Sequence, residues 1–404
     1  MTLGWIDFST QDRQRIEAAL NRLTPRGTLD ELGLGQIRDG LANHLFPGTS
    51  TLHTRAVYFL LVPQLLREIA AKPGKKGVRE VVQQLYQKEF EAIGHLVSND
   101  EAGVAWGIIG KTAGKALKQK PSGAYWSGIR QFGLVENYGS LRQFVARCLP
   151  HWRQGDADFG FAALSQQPRP AGDWLAELNV RLDAKDAAFL RTQIKRTHAN
   201  SLFASLLRLA EHEEADVLEV DHAPDFFDHP ALSVHAGYLR HSRTYEMVCR
   251  SALLAYNLAL RVKTERMDNE DETTQTLHAA HKTLYGDVER WRLQPIDVDN
   301  LLAAFPRSDN DTAIFLRAWS QRLLTRTDQG MEALEVIEER EYRMKGARAR
   351  LHDLSRAEAL APNATPGLSW ASGNGTVNPV FDYRWPTVKN HLHDLTVGIR
   401  KAHA

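Results

Sequence analysis

Residues 27–63 read GTLDELGLGQIRDGLANHLFPGTSTLHTRAVYFLLVP, and the punctuation of this stretch decides the class of fold. Thr28-Leu-Asp-Glu31 has the form of a capping box, in which Thr28 accepts from the Glu31 backbone and Glu31 reaches back. Gly33 and Gly35 permit backbone angles that other residues avoid, or the close approach of another segment. Arg38 and Asp39 follow on the next turn. Phe46-Pro-Gly-Thr-Ser50 is a loop signal, because Pro fixes φ and Gly permits positive φ. Thr49 or Ser50 then caps a further helix carrying Arg55, Tyr58, Phe59 and Leu61 to Pro63. The stretch reads as helices joined by turns.

Two readings of its polar residues stay open. In one, Arg38, His53 and Arg55 converge beside a Gly-rich turn and a helix N-terminus as an anion site. In the other, the glycines serve close helix packing, and Arg38 or Arg55 pairs with Asp30, Glu31 or Asp39. No Gly-Lys-Ser/Thr follows, so this is not a phosphate loop of the Walker kind. Paired carboxylates such as Asp30 and Asp39 are also the groups that hold Mg²⁺ for phosphodiester hydrolysis, although no matching nuclease motif accompanies them.

Outward from this stretch the helical period continues. Residues 12–23 place Ile16, Leu20 and Leu23 on one face. Val78 to Leu96 repeats the period with Val81, Val82, Leu85, Tyr86, Phe90, Ile93 and Leu96. Further helices are expected over 174–209, 239–262, 276–291, 296–305, 311–325, 329–360 and 387–401. Strand signals are few. The expected fold is mainly α, with domains at 1–153 and 173–360 separated by a Gly/Pro/Gln/Asp-rich boundary over 150–172. A loop and docking helix follow at 361–404.

Residues 110–153 carry the strongest partner signal. Eight basic residues (Lys111, Lys115, Lys118, Lys120, Arg130, Arg142, Arg147, Arg153) face one acid, Glu136, for a local net charge of +7. A short helix (110–118), a Pro121-Ser122 start, a second helix and a Gly-hydrophobic exit have the order of a helix-turn-helix or winged-helix-like unit over 104–140. Lys111, Lys115, Lys118, Lys120, Ser122 and Arg130 are then the candidate nucleic-acid contacts, with DNA favoured over RNA. The competing reading docks this segment on an acidic one of the same chain. Residues 211–228 hold eight acids and no Lys or Arg, a net charge of −8.

The rest is bounded by composition. The 404 residues carry a net charge of +1, so an electrostatic partner must be read from local patches. Two cysteines, Cys148 and Cys249, supply neither a disulfide framework nor a zinc set, which fits a reducing cytoplasm. His222, His229 and His235 lie among aspartates, but with no helical His pair and two interrupting prolines. No cofactor or metal is expected. No apolar run is long enough to span a membrane. The opening residues lack the basic and apolar runs of a signal peptide. Asp382, Arg384, Asp394, His391 and His393 would make a site, or mark a docked C-terminal helix.

Several motifs carry a resemblance. Trp5-Ile-Asp-Phe-Ser9, Gly27-Thr-Leu-Asp-Glu-Leu-Gly33, Ile37-Arg-Asp39, Phe46-Pro-Gly-Thr-Ser-Thr51 with Thr54-Arg55, Pro121-Ser122 with Tyr125-Trp126, and Asp382-Tyr-Arg-Trp385 resemble an uncharacterised bacterial family, the DUF6361-like group. The likeness runs over nearly the whole chain. The resemblance implies an accessory component of a bacterial anti-phage defence system, working with helicase or nuclease partners; the basic segment adds the reading of a non-catalytic component that binds nucleic acid. The resemblance supplies no catalytic residues. A nuclease or a pure protein scaffold remain the alternatives.

Overall fold

The structure is a computed structural model that describes residues 32–100, 106–169, 172–211, 220, 223–263, 272–290, 301, 310–325, 331–353 and 382–400. Among these residues there are twelve α-helices and no strand, so the fold is mainly α. The capping box at 28–31, the helices expected at 12–23 and 296–305, and Asp30 lie largely or wholly outside the described residues.

The helices are α1 (Gly35–Leu45), α2 (Tyr58–Ala71), α3 (Val78–Ser98), α4 (Pro121–Gln131), α5 (Leu141–Arg153), α6 (Ala184–Thr197) and α7 (Leu202–Glu211). They continue with α8 (Ala236–Lys263), α9 (Glu272–Arg290), α10 (Asn310–Thr325), α11 (Met331–Lys345) and α12 (Trp385–Arg400). The chain divides into two compact units. One holds Leu41–Leu239 with Asp382–Ala404, the other Met1–Gly40 with Arg240–Phe381. Within 150–169, buried Arg67 of α2 bonds Asp158, the Ser165 carbonyl and the Gln167 carbonyl.

In the 41–239/382–404 unit, α2 is the central element. Nearly every residue from Tyr58 to Ala70 is buried, and it packs on α3, α4 and α5. Pro63 does not end it. The apolar burial of α2 outweighs the single backbone bond that a proline removes, and the helix runs on to Ala71. Gly128 of α4 lies so close to the preceding loop that a Cβ there would sit 2.3 Å from the Gly48 carbonyl oxygen. At the other end, α12 packs on α6 and α7. The expected helix at 110–118 is instead a loop with one 3₁₀ turn (Gly114–Ala116). Gly110 and Gly114 adopt φ of +83° and +48°, which a right-handed helix excludes.

In the 1–40/240–381 unit, a polar network ties the helices. Glu341 of α11 is fully buried and accepts from the Tyr256 hydroxyl and the Arg350 and Leu351 N–H groups. The Trp319 indole donates to Ser251. Arg340 donates to the Leu32 carbonyl and to Thr312. The long helix expected over 329–360 stops at Lys345, and the chain turns at Gly346.

Candidate functional site

The loop before α2 builds the most densely polar part of the buried core. Tyr125 of α4 is fully buried, and its hydroxyl accepts from the Thr54 and Arg55 N–H groups and donates to the Arg55 carbonyl. That fixes the Arg55 backbone. The Arg55 side chain then meets Asp394 of α12: Nε lies 3.0 Å from both carboxylate oxygens, and Nη2 lies 2.5 Å from Oδ1. Asp394 also accepts from the Ala56 N–H at 2.8 Å. The charge of Arg55 is therefore matched by a carboxylate, not by an external anion. Among the described residues its ion-pair partner is Asp394.

His53 lies against this pair. Its ring stacks on Tyr125 at 4.1 Å, and Nε2 is 3.1 Å from the Ala124 carbonyl, so Nε2 carries the proton. Burial lowers its pKa to about 4, and the Arg384 guanidinium adds to that. His391 of α12 has its ring centre 5.7 Å from that of His53 and is fully buried. Burial, with His53 and Arg55 nearby, holds its pKa well below the usual imidazole range. His53 Nδ1 and both His391 nitrogens have no hydrogen-bond partner among the described residues. Both rings are neutral parts of an aromatic core. Arg38 belongs to the other unit, where it pairs with the exposed Asp39. The three residues of the expected anion site are thus each engaged within the protein.

The basic segment is arranged differently from the sequence reading. Lys111 pairs with Asp100. The Lys115 side chain lies outside the described residues. Lys118 is exposed. Ser122 is buried, and its N–H and hydroxyl donate to the carboxylate of Glu89. Glu89 thereby caps α4 from another helix, and burial raises its pKa to about 7. Arg130 donates to Asn137. Most of α4 is core, so a helix free to enter a groove is not what Ser122 and its neighbours form.

Lys120 stands apart. It is the N-cap of α4, with Pro121 at the first helical position, where its missing N–H is not needed. Its ammonium sits over the half-exposed rings of Tyr86, at 4.7 Å, and Phe90, at 5.7 Å. Arg79, Tyr86 and Phe90 fall on one stripe of α3. Burial raises the pKa of the Tyr86 hydroxyl, helped by the charge of Glu89 and opposed by that of Arg142 in the first turn of α5. At the far end of α5, Arg153 donates to the Lys76 carbonyl before α3. So α5 runs antiparallel to α3 with its cations along the seam. Arg79, Lys120, Arg142 and Arg153 form no ion pair among the described residues, and Lys75 adds a further exposed cation. Of the acidic segment, Glu211 pairs with Arg191 and Lys195, and residues 212–219 and 221–222 lie outside the described residues.

The sequence reading counted Arg142 and Arg153 as charge but missed that Tyr86 and Phe90 share their surface. Arg79 at seven and eleven residues before those rings was the available signal. Cys148 is buried and its thiol is pushed up to about 12 by burial. Among the described residues no group of three or more His, Cys, Asp or Glu side chains could hold a metal, and no helix is long and apolar enough to cross a membrane.

A protein-family model described as a family of unknown function (DUF6361) matches residues 1–398, and the chain belongs to that family. No curated protein and no solved structure matches it.

Proposed function

We propose that this member of a family of unknown function is an accessory, non-catalytic component that binds nucleic acid, DNA in preference to RNA, along the face of α3, the start of α4 and α5. The observation that carries this reading is Lys120 held over Tyr86 and Phe90, in line with Arg79, Arg142 and Arg153. A cation held by aromatic faces keeps its charge for an outside partner, whereas one in an ion pair does not. Such a row tracks a phosphate backbone, and half-exposed rings beside it add contacts to sugars or bases. Because α4 is largely core, the face reads backbone rather than inserting a helix-turn-helix into the major groove. The defence setting, and helicase or nuclease partners, rest on the motifs that resemble the family.

The test is binding of the purified protein to labelled duplex DNA, single-stranded DNA and RNA over a salt series. Each phosphate contact with B-DNA contributes about −0.9 to the log–log salt slope, so four engaged cations give a slope of roughly −3 to −4. Affinity without salt dependence, or no affinity at low salt, overturns the reading.

A further inference from the structure

Two adjoining cavities lie beside α2, on residues that the nucleic-acid reading does not use. The first, of about 370 Å³, sets Leu60 and Leu61 of α2, Leu182, Phe189 and Trp174 beside the carboxylates Glu177, Asp183 and Asp186 and the cations Arg181 and Lys185. The second, also about 370 Å³, is lined by Arg67, Lys72, Lys88 and Arg169 against one carboxylate, Glu68. Gln64 and Arg169 line both, so the cavities meet at those two side chains.

The second cavity holds an excess of positive charge. Arg67 and Arg169 share Asp158. Lys88 pairs with Glu68, which also accepts from the Trp174 indole. Lys72 is exposed and pairs with no carboxylate among the described residues. Four cations thus face two carboxylates. At the junction, the Gln64 side-chain oxygen is buried with no hydrogen-bond partner among the described residues. A buried acceptor left unpaired is costly, and a donor from a bound molecule removes that cost once the amide turns to meet it. A chamber that mixes apolar side chains with carboxylate acceptors, joined through an amide to a cationic one, has the chemistry of a small ligand with a flat body bearing hydrogen-bond donors and an anionic tail.

We propose that the two cavities form one bipartite site for a nucleotide. The base lies among Trp174, Phe189 and the leucines, its edge bonded to the Gln64 amide, as amides bond base edges elsewhere. The phosphates lie among Lys72, Lys88 and Arg169, which bond them by charge-assisted hydrogen bonds. The site is independent of the α3–α5 face.

The test is calorimetric titration of the full chain with nucleoside mono- and diphosphates, the matching nucleosides, and pyrophosphate. Saturable binding of a nucleotide is expected, about tenfold or more weaker for the nucleoside and for pyrophosphate, since each lacks half of the contacts. Lys72→Glu, at an exposed position, weakens the nucleotide by about tenfold and leaves the nucleoside unchanged. Gln64→Leu removes the preference among bases. Absence of saturable nucleotide binding, nucleotide affinity unchanged in Lys72→Glu, or pyrophosphate binding as tightly as any nucleotide overturns the proposal. Lys72→Glu decides the matter if Gln64→Leu does not fold.

Discussion

Arg55 and Asp394 stand 339 residues apart in the chain and meet in a buried, doubly hydrogen-bonded ion pair between the loop before α2 and α12. Removing one partner of such a pair leaves a buried charge uncompensated. Asp394→Ala is expected to destabilise the protein by about 3–5 kcal/mol. Replacing both by apolar residues of similar size, Arg55→Met with Asp394→Leu, is expected to recover most of that loss. Urea unfolding of the two single variants and the double variant measures this. A double variant no more stable than Asp394→Ala would show that the pair is not the source of the loss.

Acid should loosen the same core. His53 has a folded pKa of about 4, lowered from 6.5 first by burial, and His391 is shifted in the same direction for the same reason. The unfolded chain therefore takes up protons more readily. The stability these rings contribute is complete above about pH 6.5 and is lost as pH falls from there toward 4. We expect His391→Phe to flatten the melting temperature between pH 6.5 and 5 relative to the parent chain. An unchanged slope would exclude the pair as its cause.

Glu89 works with the opposite sign. Burial raises its folded pKa from 4.5 to about 7, so the folded chain holds the proton more tightly than the unfolded one. Its contribution is greatest below about pH 4.5 and is lost as pH rises through 7. Glu89→Gln, which keeps an acceptor for Ser122, is expected to gain relative stability at pH 8 over pH 5. Thermal melts at the two pH values measure the difference, and a gain at pH 5 instead would reverse the assignment.

Gly128 is a place where space, not conformation, excludes a side chain. A Cβ there meets the Gly48 carbonyl oxygen at 2.3 Å and a Phe59 ring carbon at 2.6 Å. Backbone cannot yield as a flexible side chain can, so Gly128→Ala is expected to cost about 1–3 kcal/mol or more. Gly123→Ala, exposed on the same helix, is expected to be tolerated. Parallel unfolding curves compare them.

For the α3–α5 face, reversing Lys120 and Arg142 together is expected to lower nucleic-acid affinity by at least about tenfold and to reduce the salt slope by about 2. Reversing Lys111 and Arg130, which are already engaged by Asp100 and Asn137, is expected to do much less. Equal losses from both pairs would spread the interface over the whole 111–153 segment.

The sequence was legible where local rules govern. Val78 to Ser98 and Asn310 to Thr325 fall close to the limits that their apolar period predicts, since burial of one face fixes both. The concentration of charge in 110–153 was legible too. Its shape was not, because Gly110 and Gly114 settle into left-handed turns that composition alone does not announce. The partner of Arg55 was out of reach for another reason. Reading by proximity offers Asp30, Glu31 or Asp39, whereas Asp394 arrives through the packing of α12 on α6 and α7. The hold on 150–172 was out of reach likewise: turn-rich composition marks loops, and a side chain from α2 ties this one to the core.

The packing of α12 into the unit that begins at Leu41 also sets an order of events during synthesis. The ribosome delivers Arg55 first and Asp394 last, and at 5–20 residues per second the interval between them is roughly 17–70 seconds. Throughout that interval the rings of His53, Phe59 and Tyr125 lack the closing helix, and the Arg55 guanidinium lacks its counter-charge. The nascent unit thus presents an unfinished apolar seam for as long as the intervening residues take to emerge.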